Sequence, residues 1–443
     1  MRIQLSDHFT FKKLIKFVLP SIFMMIVTSI YGVIDGLFVS NFVGKTPFAA
    51  INLIMPFVMI LGGVGFMLGT GGTALVSKIM GEGDTKKANQ VFSMIIIATL
   101  IIGIALTALG QTFMRPVAKL LGASESMIDY SVLYGRITVG FTIAFMMQNV
   151  FQSFLVAAEK PKIGLAVTII AGCTNIALDA LFVAVFKWGI VGAAIATGIG
   201  QLLGGIIPLI FFLRKNNSLL QLEKTKIEIK PIIRACGNGS SELLTNVASS
   251  IVSMLYNLQL MDFFGEDGVS AYGVLMYVQL VFVAIEIGYS IGSAPIISYN
   301  YGANNKVELK NVFKKSIICM SVSGIVLSVM AQILAIPLSK LFVGYDEALF
   351  NLTVHAFRLY SFSYIFSGIT IYSSGFFTSL NNGVISAIIS FLRALIFQII
   401  FVLLLPIIFG VDGIWWAMFA TEVCAVIVSI FFFITKYKKY GYA

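Results

Sequence analysis

The sequence repeats itself at a constant distance of 221 residues. Residues 70–92 read TGGTALVSKIMGEGDTKKANQVF and residues 291–313 read IGSAPIISYNYGANNKVELKNVF, so Gly71 aligns with Gly292 and Gly81 with Gly302 without a gap. The same shift aligns further residues along each half: Ser29 with Ser250, Gly44 with Gly265, Ala50 with Ala271, Gly189 with Gly410 and Gly192 with Gly413. Such a duplication predicts two similar halves that face each other.

Both halves are too apolar for a soluble protein. Hydrophobic residues make up 58% of the chain and charged residues 11%, which leaves too few charges to cover the surface of a water-soluble fold. A helix needs about 20 apolar residues to cross the hydrocarbon core of a membrane. The chain contains twelve such stretches: 14–40, 49–77, 91–113, 132–157, 163–186, 189–213, 236–262, 270–298, 316–343, 353–378, 384–409 and 413–435.

These stretches predict an all-α integral membrane protein with twelve transmembrane helices, spans 1 to 12, in two pseudo-symmetric lobes of six. Because each lobe has an even number of spans, the lobes are related by an axis along the membrane normal. We expect a first lobe at residues 1–213, a linker at 214–235 and a second lobe at 236–443. The linker is the one long polar connection, and its sequence predicts a short amphipathic helix on the membrane surface.

Lys and Arg residues indicate the orientation of the chain. If both termini are cytoplasmic, 22 of the 30 basic residues lie on the cytoplasmic side, Arg2 and the linker charges among them, and five lie outside, Lys45 among them. Arg136, Arg358 and Arg393 fall inside spans. This distribution predicts a multi-pass protein of the cytoplasmic membrane, and it explains the net charge of +10 without nucleic acid.

No motif of an enzyme or an ATP-driven pump is present. The chain has two histidines, and its glycine-rich run GGVGFMLGTGG lacks the lysine of a phosphate-binding loop. The spacing of small residues in that run is typical of closely packed membrane helices. The four cysteines fit neither a disulfide framework nor a zinc site, so we expect no bound cofactor.

Polar side chains inside the first lobe are the strongest functional signal. Ionisable groups within a membrane are costly and mark pathways or coupling sites. Asp35 lies in span 1, Asn175 and Asp179 lie one turn apart in span 5, and Thr197 lies in span 6. Their oxygens form a candidate site for a proton or for Na⁺, and two carboxylates in one cavity would titrate as a coupled unit. Alternatively, Asp35 pairs with Arg136 or lies near the membrane interface.

Other residues are candidates for a substrate cavity. The first lobe contributes polar groups of spans 4 and 6 and one adaptable methionine: Gln148, Asn149, Gln152, Gln201 and Met146. The second lobe lacks both acids of the first, with Tyr256 and Ile400 at the equivalent positions. It carries its own charged residues, of which Glu242, Glu286 and Arg393 are cavity candidates, and Tyr256 is a further cavity candidate. Each glutamate either lines a pathway for a cationic substrate, pairs with Arg393 or faces cytoplasmic water.

The chain resembles the multidrug and toxin extrusion (MATE) transporters, in their DinF-like bacterial branch, over its whole length. The resemblance rests on the span 1 pattern LP…IYGVIDGLFVS, on ISYNYGA at residues 297–303 and on the small residues after spans 2 and 8. It implies that Asp35, with the Asn-x-x-x-Asp of Asn175 and Asp179, couples cation entry to drug exit. Asn149 and Thr197 match polar positions of that branch, whereas Gln152 stands where relatives often have Asn.

This resemblance implies an antiporter that exports small organic cations in exchange for H⁺ or Na⁺ by alternating access. We expect a monomer, because nothing in the sequence requires a larger assembly. The alternative is a flippase for a lipid-linked saccharide or a peptidoglycan precursor, which would need more basic residues in its cavity. A membrane-embedded enzyme ranks last, because no cluster of nucleophile, base or metal ligands is present.

Overall fold

A computed structural model describes residues 3–442 of the chain, except for the side chain of Lys45. Arg2, counted above among the cytoplasmic charges, lies outside the described residues. Over residues 3–442 the chain forms helices and helical turns, without a β-strand. Its first half comprises α1 (Phe11–Phe42), α2 (Lys45–Gly81), α3 (Thr85–Leu120), α4 (Glu125–Gly140), α5 (Thr142–Ala157), α6 (Pro161–Asp179) with a π turn (Ala180–Val185), and α7 (Gly189–Leu213).

The second half follows the same plan. It comprises α8 (Ile229–Gly302), α9 (Lys306–Val343), α10 (Glu347–Tyr360), a 3₁₀ turn (Ser361–Ser363), α11 (Tyr364–Ser379), α12 (Gly383–Phe391), a π turn (Leu392–Ile396), α13 (Phe397–Phe409), a 3₁₀ turn (Gly410–Asp412) and α14 (Gly413–Tyr440). Spans 10 and 11 are therefore each made of two helices, as is span 4.

Twelve spans can be traced through these helices. By length and composition, eight helical runs of the described chain are able to cross a membrane, and α4 with α5, bent by 51°, makes a ninth. Two of the runs are double: α8 has 74 residues and breaks at Gly265 (φ 62°), and the run from Gly383 to Tyr440 breaks at Gly410 (φ 65°). α10 and α11 occupy the tenth predicted span. The structure thus confirms the all-α membrane fold.

The repeat is visible in local backbone details. Gly83 and Asn304, 221 residues apart, both have positive φ angles, of 89° and 53°, in the turns before α3 and α9. The next residues, Asp84 and Asn305, cap these helices by accepting hydrogen bonds of 3.0 and 3.1 Å from amide groups in the first turn. Equivalent sequence positions therefore form the same kind of turn and the same helix cap in both halves.

The connection between the halves differs from its prediction. Residues 214–228 are not helical, so the amphipathic helix predicted for the linker was wrong. Leu220 is fully buried, the N–H of Gln221 donates to Asn89 Oδ1 (3.1 Å), and the N–H of Glu223 donates to Ser93 Oγ (2.9 Å). Because side chains at the start of α3 satisfy these amides, the extended chain is stable without forming a helix.

The two halves meet closely at one end of the bundle, which we call the linker face. It carries residues 3–10, the connection 214–228, the α2–α3 and α8–α9 turns and the C-terminus. A Cβ atom at Gly81 would overlap the carbonyl oxygen of Tyr299, and one at Gly302 would overlap that of Lys78. Glycine is required here because the two backbones touch directly.

Hydrogen bonds between the halves are confined to the part of the bundle nearer the linker face. Within residues 3–442, the one farthest from that face joins Ser29 Oγ, near the middle of α1, to the carbonyl oxygen of Leu280 (3.2 Å). Asn381 Nδ2 donates to the carbonyl oxygen of Ala74 (3.1 Å) closer to the linker face. The halves are thus closed against each other at the linker face.

Candidate functional site

The first half encloses two acidic side chains. Asp35 of α1 is 9% exposed, and Asp179, the last residue of α6, is 0% exposed. The chain continues from Asp179 into the π turn of residues 180–185. Turns of this kind within α-helices occur frequently at functional sites because they interrupt the regular backbone hydrogen bonds.

Three helices bring the four predicted coupling residues together. Thr197 Oγ1 of α7 donates to Asp35 Oδ1 over 3.3 Å, and Asn175 Nδ2 of α6 donates to Thr197 Oγ1 over 3.5 Å. The Asp179 carboxylate interacts with that of Asp35. Side chains of spans 1, 5 and 6 therefore form one polar cluster in the first half. We call this cluster of Asp35, Asn175, Asp179 and Thr197 the chamber.

This chamber holds acceptor oxygens without donors. Both carboxylate oxygens of Asp179 and the amide oxygen Oδ1 of Asn175 are buried and have no hydrogen-bond partner among the described residues. A buried acceptor without a partner is costly unless a donor, a water or an ion meets it. Carboxylate and amide oxygens suit both a proton and a hard monovalent cation, so the chamber fits either species.

One alternative for Asp35, an ion pair with Arg136, is wrong. Arg136 is exposed, and within residues 3–442 it forms no ion pair with Asp35 or Asp179. Its backbone carbonyl oxygen instead accepts a hydrogen bond from Gln111 Nε2 (2.6 Å). Asp35 is buried among the helices. The two carboxylates thus have no basic partner among the described residues.

Two tyrosines near the carboxylates were missed by the sequence analysis. Tyr134 of α4 is 1% exposed and lies within electrostatic range of both Asp35 and Asp179. Tyr31 of α1 lies beside Gln148 and within electrostatic range of Asp35. Tyr31 precedes Asp35 by four residues, so the spacing of one helical turn could have identified it. No comparable signal in the sequence connects Tyr134 to the acids.

Glycines of α7 determine how closely the neighbouring helices approach the chamber. A Cβ atom at Gly198 would overlap the ring of Phe141, the residue at the break between α4 and α5. One at Gly200 would lie 3.1 Å from Asn175 Cβ, and one at Gly204 would lie 2.7 Å from Gln148 Cγ. The absence of side chains at these positions lets α7 present Thr197 to the acids.

The remaining candidates of spans 4 and 6 have different environments. Gln148 lies beside the chamber, and its Oε1 is buried without a partner among the described residues. Asn149 Nδ2 donates to the carbonyl oxygen of Gly62 (3.1 Å), which ties α5 to α2. Gln152 is buried one turn beyond Gln148, and Gln201 is half-buried one turn beyond Thr197.

A second polar pocket lies between the halves. Its volume is about 30 Å³, enough for a water molecule. Its polar lining comprises Thr70, Thr73, Ser153, Glu242, Ser290 and Thr378, which come from both halves. Glu242 supplies the only charge of this lining and does not pair with Arg393 in the described structure. One of the three alternatives for Glu242, an ion pair with Arg393, is therefore wrong.

The family-model comparison matches the chain twice, at residues 20–181 and 243–404, to MatE. These two segments together cover more than half of the chain, one in each half. The chain belongs to the MATE family of transporters. Its apolar helices, its duplicated architecture and its membership in a transporter family agree with one another.

Relatives and solved structures match over nearly the full length. The multidrug export protein MepA of Staphylococcus haemolyticus is 26% identical, over 94% of this chain and 91% of that protein, and MepA of Staphylococcus saprophyticus is 25% identical, over 96% and 94%. A crystal structure of MATE in complex with MaL6 superposes with a TM-score of 0.93 at 19% identity, covering 98% of both chains. The last comparison supports the fold alone.

The second lobe of this MATE transporter contains a separate cluster of charges. Arg393, in the π turn of span 11, pairs with Glu422 of α14 through Nη2 and Oε1 (2.6 Å) and through Nε (2.9 Å). Glu422 also accepts from Thr370 Oγ1 (2.6 Å). Glu286 Oε1 accepts from Ser367 Oγ (2.8 Å), and Glu286 Oε2 has no partner in the described part of the chain. The partner of Arg393 is thus Glu422, which had not been a site candidate.

Two further candidates lie in packed regions of the transporter. Met146 is fully buried in the hydrophobic core, and a Cβ atom at Gly65 would lie 2.5 Å from its Cα. Tyr256 is 2% exposed and stacks on Tyr272 with ring centroids 4.8 Å apart. Both side chains therefore pack against neighbouring helices in this structure. Within residues 3–442 no cluster of three or more His, Cys, Asp or Glu residues forms a metal site.

Proposed function

We propose that the chain is a secondary active multidrug exporter, which exchanges small organic cations for H⁺ or Na⁺ across the bacterial cytoplasmic membrane. The export role is supported by relatives that are named multidrug export proteins. The coupling role is supported by one observation above all. Asp35 and Asp179 are buried together, and among residues 3–442 they have no basic partner and lie beside acceptor oxygens that lack donors.

The driving cation binds at Asp35, Asp179, Asn175 and Thr197. A cation can drive a conformational cycle only if it binds one state more tightly than the other. The acids come from α1 and from α6, and α1 also contacts the second half through Ser29. Neutralising the acids repacks α1, and this movement alters the contact between the halves. Either a proton or Na⁺ satisfies this requirement.

The substrate binds between the lobes. Glu242 attracts the positive charge of an organic cation there, and the hydroxyl groups of the surrounding pocket supply oxygen contacts. Gln148, Gln152 and Gln201 line the path between this pocket and the chamber of the acids, with Asn149 fixing α5 against α2. Glu286 and Arg393 act in the second-lobe cluster, and Met146 and Tyr256 support the helices around the path.

Alternating access involves the lobes at residues 1–213 and 236–443, joined by the linker 214–235. The protein works as a monomer with both termini in the cytoplasm, so the linker face is cytoplasmic and is closed in this conformation. The substrate enters when this face opens, and it leaves after the opposite end opens. The cation then occupies the acidic chamber and returns the transporter to its starting state.

The lipid flippase receives less support. A flippase for a lipid-linked phosphate needs free basic residues in its cavity. Arg393 is paired with Glu422, and Arg136 and Arg358 are exposed. Arg393, the least exposed arginine of the three, is therefore already neutralised by Glu422 and offers no free charge to a phosphate.

The test is the efflux of ethidium from proteoliposomes that contain the purified protein, with a pH gradient or a sodium gradient imposed separately. We expect one of the gradients to accelerate efflux in the wild type, and we expect Glu242→Gln to raise the ethidium concentration required for half-maximal efflux. No acceleration by either gradient would refute the antiport mechanism, whereas transport of an isoprenoid phosphate in place of ethidium would support the flippase.

A further inference from the structure

The segment before α1 lies in the seam between the two halves at the linker face. Leu5 is 1% exposed and is held from both sides. Its N–H donates to Glu159 Oε1 (2.8 Å) in the α5–α6 turn of the first half. Its carbonyl oxygen accepts from Asn300 Nδ2 (3.3 Å) of the second half. One residue therefore bridges the two lobes.

Glu308, at the start of α9 in the second half, holds the same segment three residues further on. Its Oε1 accepts from the N–H of Phe9 (2.9 Å), and its Oε2 contacts His8 Nδ1 (2.7 Å). Glu308 is 4% exposed, and Phe9 is fully buried. Hydrogen bonds to a buried carboxylate are among the stronger ones in proteins, because the acceptor is charged.

The carbonyl oxygen of Phe9 completes this attachment. It accepts from Asn311 Nδ2 (2.9 Å) and from Lys315 Nζ (2.7 Å), both on α9. Phe9 is thus bound to the second half through both of its backbone groups, although α1, which begins two residues later, belongs to the first half. The segment cannot follow α1 away from α9 without losing these bonds.

The linker shows the reciprocal arrangement. It leads into α8 of the second half, and its residues Gln221 and Glu223 are bound to Asn89 and Ser93 of α3 in the first half. The segment that leads into the first span of each lobe is therefore hydrogen-bonded to the third span of the other lobe, which is α3 in the first lobe and α9 in the second. This repetition indicates that the cross-lobe attachment belongs to the duplicated design of the fold.

We propose that residues 3–10 act as a latch that holds the linker face closed and that must detach before this face can open. The inference rests on the alternating access proposed above. When the lobes separate at the linker face, Glu159 and Asn300 move apart, and Leu5 loses the bond to one of them. Likewise, Phe9 either leaves Glu308 or holds α1 against α9. The latch therefore favours the closed state by the bonds that it makes across the seam.

The experiment measures the distance between the lobes at the linker face. The four native cysteines are first replaced, and spin labels are then attached to cysteines introduced at Lys86 and Val307, which are exposed equivalent positions at the start of α3 and α9. Distances are recorded by double electron–electron resonance in lipid nanodiscs. We expect Glu308→Gln to raise the ratio of molecules with an open linker face to molecules with a closed one by about tenfold, because it weakens charge-assisted hydrogen bonds across the seam.

Glu228→Gln is the matched control. Glu228 is an exposed residue at the end of the linker, outside the latch, and its side chain makes no hydrogen bond or ion pair with the described residues. Removing this acidic charge should leave the distance distribution unchanged. Asn300→Ala, which removes a bond to Leu5 and leaves Glu308 intact, is the second test variant and also applies if Glu308→Gln fails to fold.

An unchanged distance distribution in both Glu308→Gln and Asn300→Ala would overturn the latch, as would an equal change in Glu228→Gln. The outcome does not depend on transport. If the wild type exports ethidium and the distances stay the same, the latch is wrong and the proposed function stands. If the distances shift but neither gradient drives export, the latch stands and the coupling mechanism is wrong.

Discussion

Replacing Asp179 by Asn should make the protein more stable while abolishing its cation-driven transport. Asp179 is 0% exposed, and neither of its carboxylate oxygens has a partner within the described structure. An unsatisfied buried polar atom costs about 1–3 kcal/mol. The amide that Asp179→Asn introduces has one acceptor fewer and gains a donor, which turns a repulsion with Asp35 into a hydrogen bond. We therefore expect the free energy of unfolding to rise by about 1–3 kcal/mol.

The stability of wild type and Asp179→Asn would be compared by denaturation of the purified protein in sodium-free buffer, followed by tryptophan fluorescence. Glu266→Gln is the control, since Glu266 is exposed and its neutralisation should change the stability by less than about 0.5 kcal/mol. A loss of stability in Asp179→Asn would show that the carboxylate is satisfied in the folded protein. That result would contradict the expectation that the two carboxylate oxygens of Asp179 lack a hydrogen-bond partner.

Three other substitutions probe the framework of the site. Gly198→Ala should lower the free energy of unfolding by about 1–3 kcal/mol through overpacking, and it should slow cation-driven efflux by displacing Thr197. Gly273→Ala is the control and should change neither property, because a methyl group there would enter open space. Denaturation and efflux assays measure the two effects. Arg393→Met should lower the free energy of unfolding by about 3–5 kcal/mol, because it leaves Glu422 buried and unpaired. The double variant that also carries Glu422→Met should recover most of this loss in the same denaturation assay. Gly81→Leu should lengthen the label distance across the linker face, because the side chain keeps the backbones apart; an unchanged distance would contradict the observed closure.

The architecture could be predicted because it depends on patterns that a linear sequence retains. The 221-residue shift and the length of the apolar stretches give the number of spans and their pairing into two halves. The breaks within spans are harder to predict. α4 ends at Gly140, yet several glycines of α7 leave that helix unbroken, and the π turn that begins at Leu392 has no Gly or Pro within it. Packing against neighbouring helices decides where such helices bend.

The candidate site was predictable in part for the same reason. Asn175 and Asp179 lie one turn apart, and acids within a membrane are rare enough to attract attention. The pairing of Arg393 with Glu422 was not predictable, because residues 29 positions apart on different spans meet only through tertiary packing. The linker was mispredicted as a helix because the amide partners that keep it extended lie on α3, more than 100 residues away in sequence.

The central claim is that the chamber of Asp35 and Asp179 holds the cation that substrate export consumes. The most direct measurement is cation release from the purified protein on addition of ethidium, with a pH dye for protons and radioactive ²²Na⁺ for sodium. We expect the wild type to release one of these cations on binding ethidium, and we expect Asp179→Asn to bind ethidium without releasing it. Equal release by both proteins would show that the exchanged cation binds outside the chamber, and it would refute the coupling role of Asp35 and Asp179.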